Sequence, residues 1–192
     1  SIKSRIGIDE LDSWEHFEDF VKKIYQQGCR DLIVHARKAW LTGLSPKENR
    51  SVPPLKYDWV HKIKQLFPDM DVSINGGVVS HQEISQHLNH VDGVMIGREA
   101  YGNPWLLKEV DSLYYGKTPN SLHREEVLRS LYPFWERELS KGVPLQRMVR
   151  HCMGLFHGIR GGRQFRRIIS ENAPKKGAGL EVIEEALKAI VI

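Results

Sequence analysis

Glycines and cations, rather than thiols or paired carboxylates, are the residues of this chain whose types and spacing could do chemistry. Two short apolar runs, Val72–Ile74 and Val94–Ile96, each end in glycine: Asn75-Gly76-Gly77 follows the first and Gly97-Arg98 the second. Glycine has no Cβ, so its backbone N–H can approach a ligand closely. Loops after consecutive parallel strands, aimed at a helix N-terminus, are where many β/α barrels hold a phosphate. A plain turn is the competing reading of the Gly-Gly pair; two glycine-ended strands in tandem, the second followed by an arginine, are the more specific sign. Lys3, on the first strand, is a further ligand candidate, because a lysine is rarely buried without a partner; a lysine at a frayed terminus is the alternative. His35 ends the run Leu32-Ile33-Val34. At the C-terminal end of a barrel strand it would face a ligand, and elsewhere it would be an ordinary core histidine.

Two further stretches are rich in cations. The segment Arg37–Arg50 carries Arg37, Lys38, Lys47 and Arg50 with Trp40 among them. That mixture suits RNA, whose phosphates attract Lys and Arg and whose splayed bases stack on flat side chains. Arg160-Gly161-Gly162-Arg163-Gln164-Phe165-Arg166-Arg167 is the densest basic stretch, with no acid before Glu171. On a helix Arg163, Arg166 and Arg167 fall on neighbouring turns. A solvated basic face is the competing reading. No Ser-His-Asp set, paired carboxylate site or metal-ligand cluster stands out, and the two cysteines, Cys29 and Cys152, have no metal spacing.

These residues need elements to position them. A strand at residues 2–6 is followed by a helix opened by Ser13, with Trp14, Phe17, Phe20, Val21, Ile24 and Tyr25 on one face and Gly28 as its stop. Asp31–His35 reads as a second strand, residues 37–54 as a long polar loop, and 56–67 as a helix halted by Pro68. Ser80 and Glu83 form a capping-box pattern between the two glycine-ended strands, with Ile84, Leu88 and Val91 at helical spacing. Residues 1–108 thus spell strand-helix four times, which implies a parallel sheet. Half of a β/α barrel and a small open doubly wound sheet both fit. The position of the glycine loops, after the last two strands rather than the first, favours the half-barrel. Residues 109–120 read as a linker. Residues 121–192 are helical in period: a helix from Val127 to Leu139 kinked at Pro133, one with Pro144 at its first position, one at about 163–171, and one through Leu180, Ile183, Leu187 and Ile190. The kink at Pro133 holds only if the first of these is one continuous helix, and together they predict a small helical bundle.

The chain has 192 residues, enough for one large or two small domains. No apolar run approaches a membrane span, and no signal-peptide pattern opens the sequence. A start inside a strand is expected of a chain that belongs to something longer. Free cysteines among apolar residues fit a reducing, cytoplasmic setting. Charge is uneven: residues 1–118 hold 15 Lys+Arg against 16 Asp+Glu and residues 119–192 hold 13 against 8, so −1 and +5 make the chain's net +4. The basic C-terminal third points to an anionic partner, nucleic acid first.

The motifs Val34–Arg50 (VHARKAWLTGLSPKENR), Ile74–Gly77 (INGG) and Asp92–Arg98 (DGVMIGR) resemble the tRNA-dihydrouridine synthases, in the pattern of bacterial subfamily A; Lys3–Asp9 and Gly154–Gly158 agree with it. The resemblance implies a fold of class α/β plus all-α: a TIM (β/α)8 barrel bearing FMN, here its C-terminal half, followed by a helical tRNA-binding domain. It implies that FMN reduced by NADPH passes hydride to specific uridines of tRNA, giving 5,6-dihydrouridine, while a cysteine acid protonates the other carbon. Carried over by motif, Lys3, His35, Asn75, Gly76, Gly77, Gly97 and Arg98 would bind FMN, and Lys47, Arg50, Arg163 and Arg166 would contact tRNA. Neither cysteine matches the catalytic motif, so the catalytic cysteine is expected upstream of this chain and the piece itself is expected to be inactive. The full-length enzyme is expected to be a monomer without metal or membrane attachment. Two other functions stay open: an FMN barrel acting on a small molecule, and a non-catalytic RNA-binding module.

Overall fold

Four parallel strands, each followed by helix, form the first of two compact units, Ser1–Gly97, in the computed structural model, which describes residues 1–191. The strands are β1 (Ile2–Arg5), β2 (Asp31–His35), β3 (Asp71–Asn75) and β4 (Gly93–Met95), and the helices between them are α1 (Trp14–Gln26), α2 (Tyr57–Leu66) and α3 (His81–Leu88). The sheet order is β1-β2-β3-β4, all parallel. A doubly wound sheet reverses its order at a switch point; an order that simply follows the chain is that of a barrel arc. Fragment β1 and fragment β4 are the edges.

Local chemistry starts and stops the helices as the sequence predicts. The Ser13 hydroxyl accepts from His16 N–H at 3.2 Å, and Gly28, at φ +89°, lets the chain leave α1 in a left-handed turn. At α3 the capping box is complete: Ser80 Oγ accepts from Glu83 N–H at 3.2 Å, and Glu83 Oε2 accepts from Ser80 N–H at 3.0 Å and from Val79 N–H at 2.8 Å. The core lies on one sheet face, where Leu32, Val34, Val72 and Ile74 are fully buried with Phe17 and Val21 of α1 and Val60 and Ile63 of α2.

The second unit, Arg98–Ile192, is helical throughout its described residues. It begins with α4 (Arg98–Gly102), a 3-10 segment (Pro104–Glu109) and α5 (Val110–Tyr115), so the stretch read as a linker at 109–120 is half helix, and the division falls at 97/98 rather than at 108. The reason is packing. Trp105 packs on the helical unit's core, and Gly154 lies so close to Gly102 that an added Cβ would sit 2.4 Å from the Gly102 carbonyl oxygen. The remaining helices are α6 (Arg124–Arg129), α7 (Tyr132–Ser140), α8 (Leu145–Val149), α9 (Gly162–Asn172) and α10 (Glu181–Leu187). Pro133 does not kink one long helix. The chain breaks at Ser130-Leu131, and Pro133 sits in the first turn of α7, where its missing N–H costs nothing. Pro144 caps α8 with an extended backbone instead of entering it. Trp135, Leu145, Phe156, Phe165, Ile169 and Ile183 form this unit's own core.

One polar cluster ties three of these helices. Glu184 of α10 accepts from Arg129 Nε and Nη2 of α6 at 3.0 Å each and from Tyr132 Oη of α7 at 2.7 Å. The Arg129 and Tyr132 hydrogen bonds pull the Glu184 carboxyl down to about 2. A carboxylate depressed in the folded state stabilises above its unfolded value, about 4.3, and loses that stabilisation as pH falls towards the folded value. Glu184→Gln is therefore expected to lower the melting temperature at pH 7 and to flatten its decline between about pH 4.5 and 2. Because the pair is 45% and 44% exposed, solvent screening holds the effect to within about 1 kcal/mol. Thermal melts at a series of pH values check it.

Candidate functional site

Residues of a strand alternate between faces, so the register that buries Leu32 and Val34 sets Lys3, Arg5, His35, Ser73 and Asn75 on the sheet face opposite the core. Asn75 organises this face. Its Oδ1 accepts from Lys3 Nζ at 3.2 Å and its Nδ2 donates to the Met95 carbonyl at 2.7 Å, linking the C-terminal ends of strands β3 and β4 with the lysine from β1. The Lys3 ammonium is held below its ordinary value by partial burial first and by neighbouring Arg5 second; Arg5 is lowered by burial and then by Arg50 and Arg37. Cations that crowd one another in a partly dry place favour an anion between them.

The glycine loops divide. At Gly76 (φ +114°) an added Cβ would lie 2.6 Å from His35 Cδ2 and 2.9 Å from His35 Nε2. At Gly77 (φ +76°) it would lie 2.7 Å from Leu55 Cδ1 and 2.8 Å from Tyr57 Oη, and that hydroxyl donates to the Gly76 carbonyl at 2.7 Å. The protein's own side chains thus account for both glycines, and His35 is buried behind Gly76. Gly97 differs: the nearest atom to an added Cβ is Asn75 Nδ2, at 4.0 Å. That backbone is open to a ligand and borders the Lys3-Asn75 pair. The helix N-termini that the sequence reading aims at an anion do not supply one. The Glu83 carboxylate already occupies the N-terminus of α3, and Arg98 opens α4, a helix of only five residues.

Lys47 and Arg50 lie exposed in the 37–54 loop, on the 3-10 turn Glu48–Arg50 and the residue that precedes it. Sequence reasoning missed the residues that anchor this loop. Arg5 Nη1 donates to the carbonyls of Lys38 at 2.7 Å and Asn49 at 2.9 Å. Arg37 Nη1 donates to the Pro53 carbonyl. Lys38 pairs with Asp12 at 2.6 Å and lies 3.9 Å over the Trp40 ring, so of the four loop cations Arg37 and Lys38 serve the fold. Arg5 shares the strand parity of Lys3, a signal that was legible; the bonds of Asn49 were not, because nothing local marks them.

In the helical unit α9 carries Arg163 exposed and Arg166 partly covered, its Nη1 3.7 Å from where a Gly162 Cβ would be. Arg167 stands 3.9 Å from Glu171. Gly161 and Gly162 are needed for close approach: a Cβ on Gly161 would meet the Ala189 carbonyl oxygen at 1.9 Å, and one on Gly162 the Phe156 carbonyl oxygen at 2.3 Å. The basic stretch therefore begins on a backbone wedged against its own core.

Neither thiol belongs to this arrangement. Cys29 donates weakly to the Asp31 carbonyl at 3.5 Å, at the N-terminal end of β2, about 13 Å along the strand from His35. Burial pushes the Cys152 thiol up to about 11. Both are partly rather than fully buried. Among the described residues no group of three or more His, Cys, Asp and Glu could hold a metal ion, and no helix is long and apolar enough to cross a membrane.

The family model described as Dihydrouridine synthase (Dus) matches residues 1–191. The chain is 50% identical over 190 residues to the tRNA-dihydrouridine(20/20a) synthase of Pasteurella multocida, covering 99% of this chain and 58% of that protein. It is 52% identical over 191 residues to that of Vibrio cholerae, with shares of 99% and 58%, and 51% identical over 191 residues to that of Escherichia coli K12, with shares of 99% and 55%. The chain thus spans a little over half the length of these relatives. The narrower expectation, that it is their C-terminal portion, draws no support from these comparisons. By the match along its whole described length, the chain belongs to the dihydrouridine synthase family.

Proposed function

We propose that this chain is part of an FMN-dependent, NADPH-using tRNA-dihydrouridine synthase, with the sheet face of the first unit supplying flavin contacts and cations of both units supplying tRNA contacts. The observation that carries the reading is the sheet face on which Lys3, partly desolvated, is held by Asn75 beside the open backbone of Gly97. Such a face fits a phosphate-bearing ring system that takes up negative charge on reduction. FMN, when bound, supplies the hydride for the uracil ring. Lys3 would donate to the flavin through the ammonium that Asn75 aims, His35 would back Gly76 and fix that loop, and Gly97 with Arg98 would meet the phosphate. Lys47 and Arg50, with Arg163 and Arg166, would neutralise RNA phosphates so that a uridine can leave its stack and enter the site. The catalytic cysteine would come from a part of the enzyme outside this chain, since Cys29 stands at the far end of β2 from His35 and the Cys152 thiol is held high by burial in the helical unit; the chain alone would be inactive. The relatives' names carry positions 20 and 20a, and the same uridines are the proposed substrates. A cytoplasmic monomer is the proposed form.

The test uses the enzyme at the full length of its relatives. It is expected to purify with flavin absorbance, and with NADPH to form dihydrouridine at positions 20 and 20a of an unmodified tRNA transcript, read by primer extension or nucleoside mass spectrometry. A flavin-free protein that still binds tRNA would leave a non-catalytic RNA-binding module. Flavin with NADPH oxidation but no dihydrouridine would leave an oxidoreductase for a small molecule. In the same enzyme Lys3→Ala is expected to weaken flavin retention about tenfold, the loss of one charge-assisted contact of about 1.5 kcal/mol, measured by flavin fluorescence after dilution.

A further inference from the structure

Asn49 lies between Lys47 and Arg50, partly buried, with its amide turned to the backbone. Its Oδ1 accepts from Trp40 N–H at 2.8 Å, and its Nδ2 donates to the Trp40 carbonyl at 2.8 Å and to the Leu44 carbonyl at 3.3 Å. The amide therefore closes residues 41–48 into a ring, pairing with the Trp40 backbone as a neighbouring strand would. Its own carbonyl accepts from Arg5 Nη1 at 2.9 Å, and the same guanidinium nitrogen holds the Lys38 carbonyl on the other side of the ring. Within the ring Glu48 Oε2 accepts from Ser45 N–H at 2.8 Å and Ser45 Oγ at 2.6 Å, and Asn49 N–H donates to the Ser45 carbonyl at 3.0 Å. Lys47 and Arg50 project from the turn so formed, on either side of Asn49. A long polar loop pays a large ordering cost when it binds; the ends of this one are held by Arg37 and Lys38, and its 41–48 turn is closed by the Asn49 amide and tied to the sheet through Arg5.

We propose that Asn49 is the positioning residue of the RNA-contacting loop, fixing Lys47 and Arg50 in register on the sheet before tRNA arrives. The inference rests on the reading of Lys47 and Arg50 as RNA contacts. A glutamine would not serve, because one more methylene moves the amide off the Trp40 pair; an aspartate keeps the acceptor for Trp40 N–H and loses both donations.

The experiment is a mutant cycle in the full-length enzyme, with an unmodified tRNA transcript as the probe and Kd measured at several salt concentrations. Asn49→Ala is expected to weaken binding roughly five- to tenfold through the loop-ordering cost it restores. In the Lys47→Ala/Arg50→Ala background the same change is expected to have less than about a twofold effect, because no loop cation remains to be positioned. A merely structural asparagine would weaken binding equally in both backgrounds, and that additivity would overturn the inference while leaving the RNA reading intact. If Lys47→Ala/Arg50→Ala leaves the Kd unchanged, the RNA reading of the loop fails and the inference falls with it. Asn49→Gln, which adds no charge and keeps an amide while moving it off the Trp40 pair, runs through the same cycle should Asn49→Ala not fold, and the same non-additivity is expected of it.

Discussion

Gly76→Val is expected to destabilise the enzyme by roughly 2–5 kcal/mol, as left-handed backbone strain and overpacking together do, with or without flavin. The Cβ alone would sit 2.6 Å from the His35 ring, on a backbone at φ +114° that L side chains rarely adopt. His35 cannot retreat, because it is buried. Flavin loss in this variant would therefore report a displaced histidine, and by itself says nothing about a phosphate. Gly97→Ala separates the two effects. The protein leaves room for that methyl, its nearest neighbour being Asn75 Nδ2 at 4.0 Å. The melting temperature of the flavin-free protein should stay within a degree or two, while a ligand that approaches the Gly97 backbone should bind about tenfold less tightly, the loss of one good hydrogen bond to a charged group. Differential scanning fluorimetry and flavin titration measure the pair. A Gly97→Ala enzyme with unchanged flavin affinity would move the phosphate away from this strand end.

Replacing all four proposed RNA contacts, Lys47, Arg50, Arg163 and Arg166, by alanine is expected to lower the slope of log Kobs against log salt by roughly 2.8–3.6, at 0.7–0.9 per lost phosphate contact. Loss of four cations removes most of the electrostatic term, so binding at low salt should fall by orders of magnitude while binding at high salt changes less. The two pairs are not equivalent. Lys47 and Arg50 stand on a loop braced by Asn49 and Arg5, whereas Arg166 partly covers Gly162 at the wedge of α9. Arg166→Ala therefore carries a small stability cost, and Arg163→Ala, at an exposed position, carries almost none. Filter binding over a salt series decides the matter: an unchanged slope would mean that these side chains face water in the complex.

The sequence by itself determined the elements and their order. Ser13, Gly28, Pro68 and the Ser80/Glu83 box act within one turn of chain, so their effect is local and legible, and the apolar runs at Leu32–Val34 and Val72–Ile74 marked the strands, though the register that buries one face of them came with the structure. The same locality placed His35, Asn75 and Gly97 together at strand C-terminal ends, since a parallel sheet in chain order leaves no other end for them. Only the tertiary structure decided what each residue there touches. The packing demand for glycine at Gly76 and Gly77 is not visible in the sequence, because the side chains that crowd them, His35, Leu55 and Tyr57, come from β2 and from residues 55–57. The Glu83 carboxylate, read as a helix signal, proved also to occupy the place an anion would take. The linker at 109–120 and the kink at Pro133 were misplaced for a like reason: Trp105 and Gly154 bind the first helices of the second unit to its core, and the break before α7 is set by packing around Leu128 and Trp135. Asn49 left no trace in the sequence at all, because an amide that pairs with backbone nine residues away is marked by geometry and not by any pattern of neighbours.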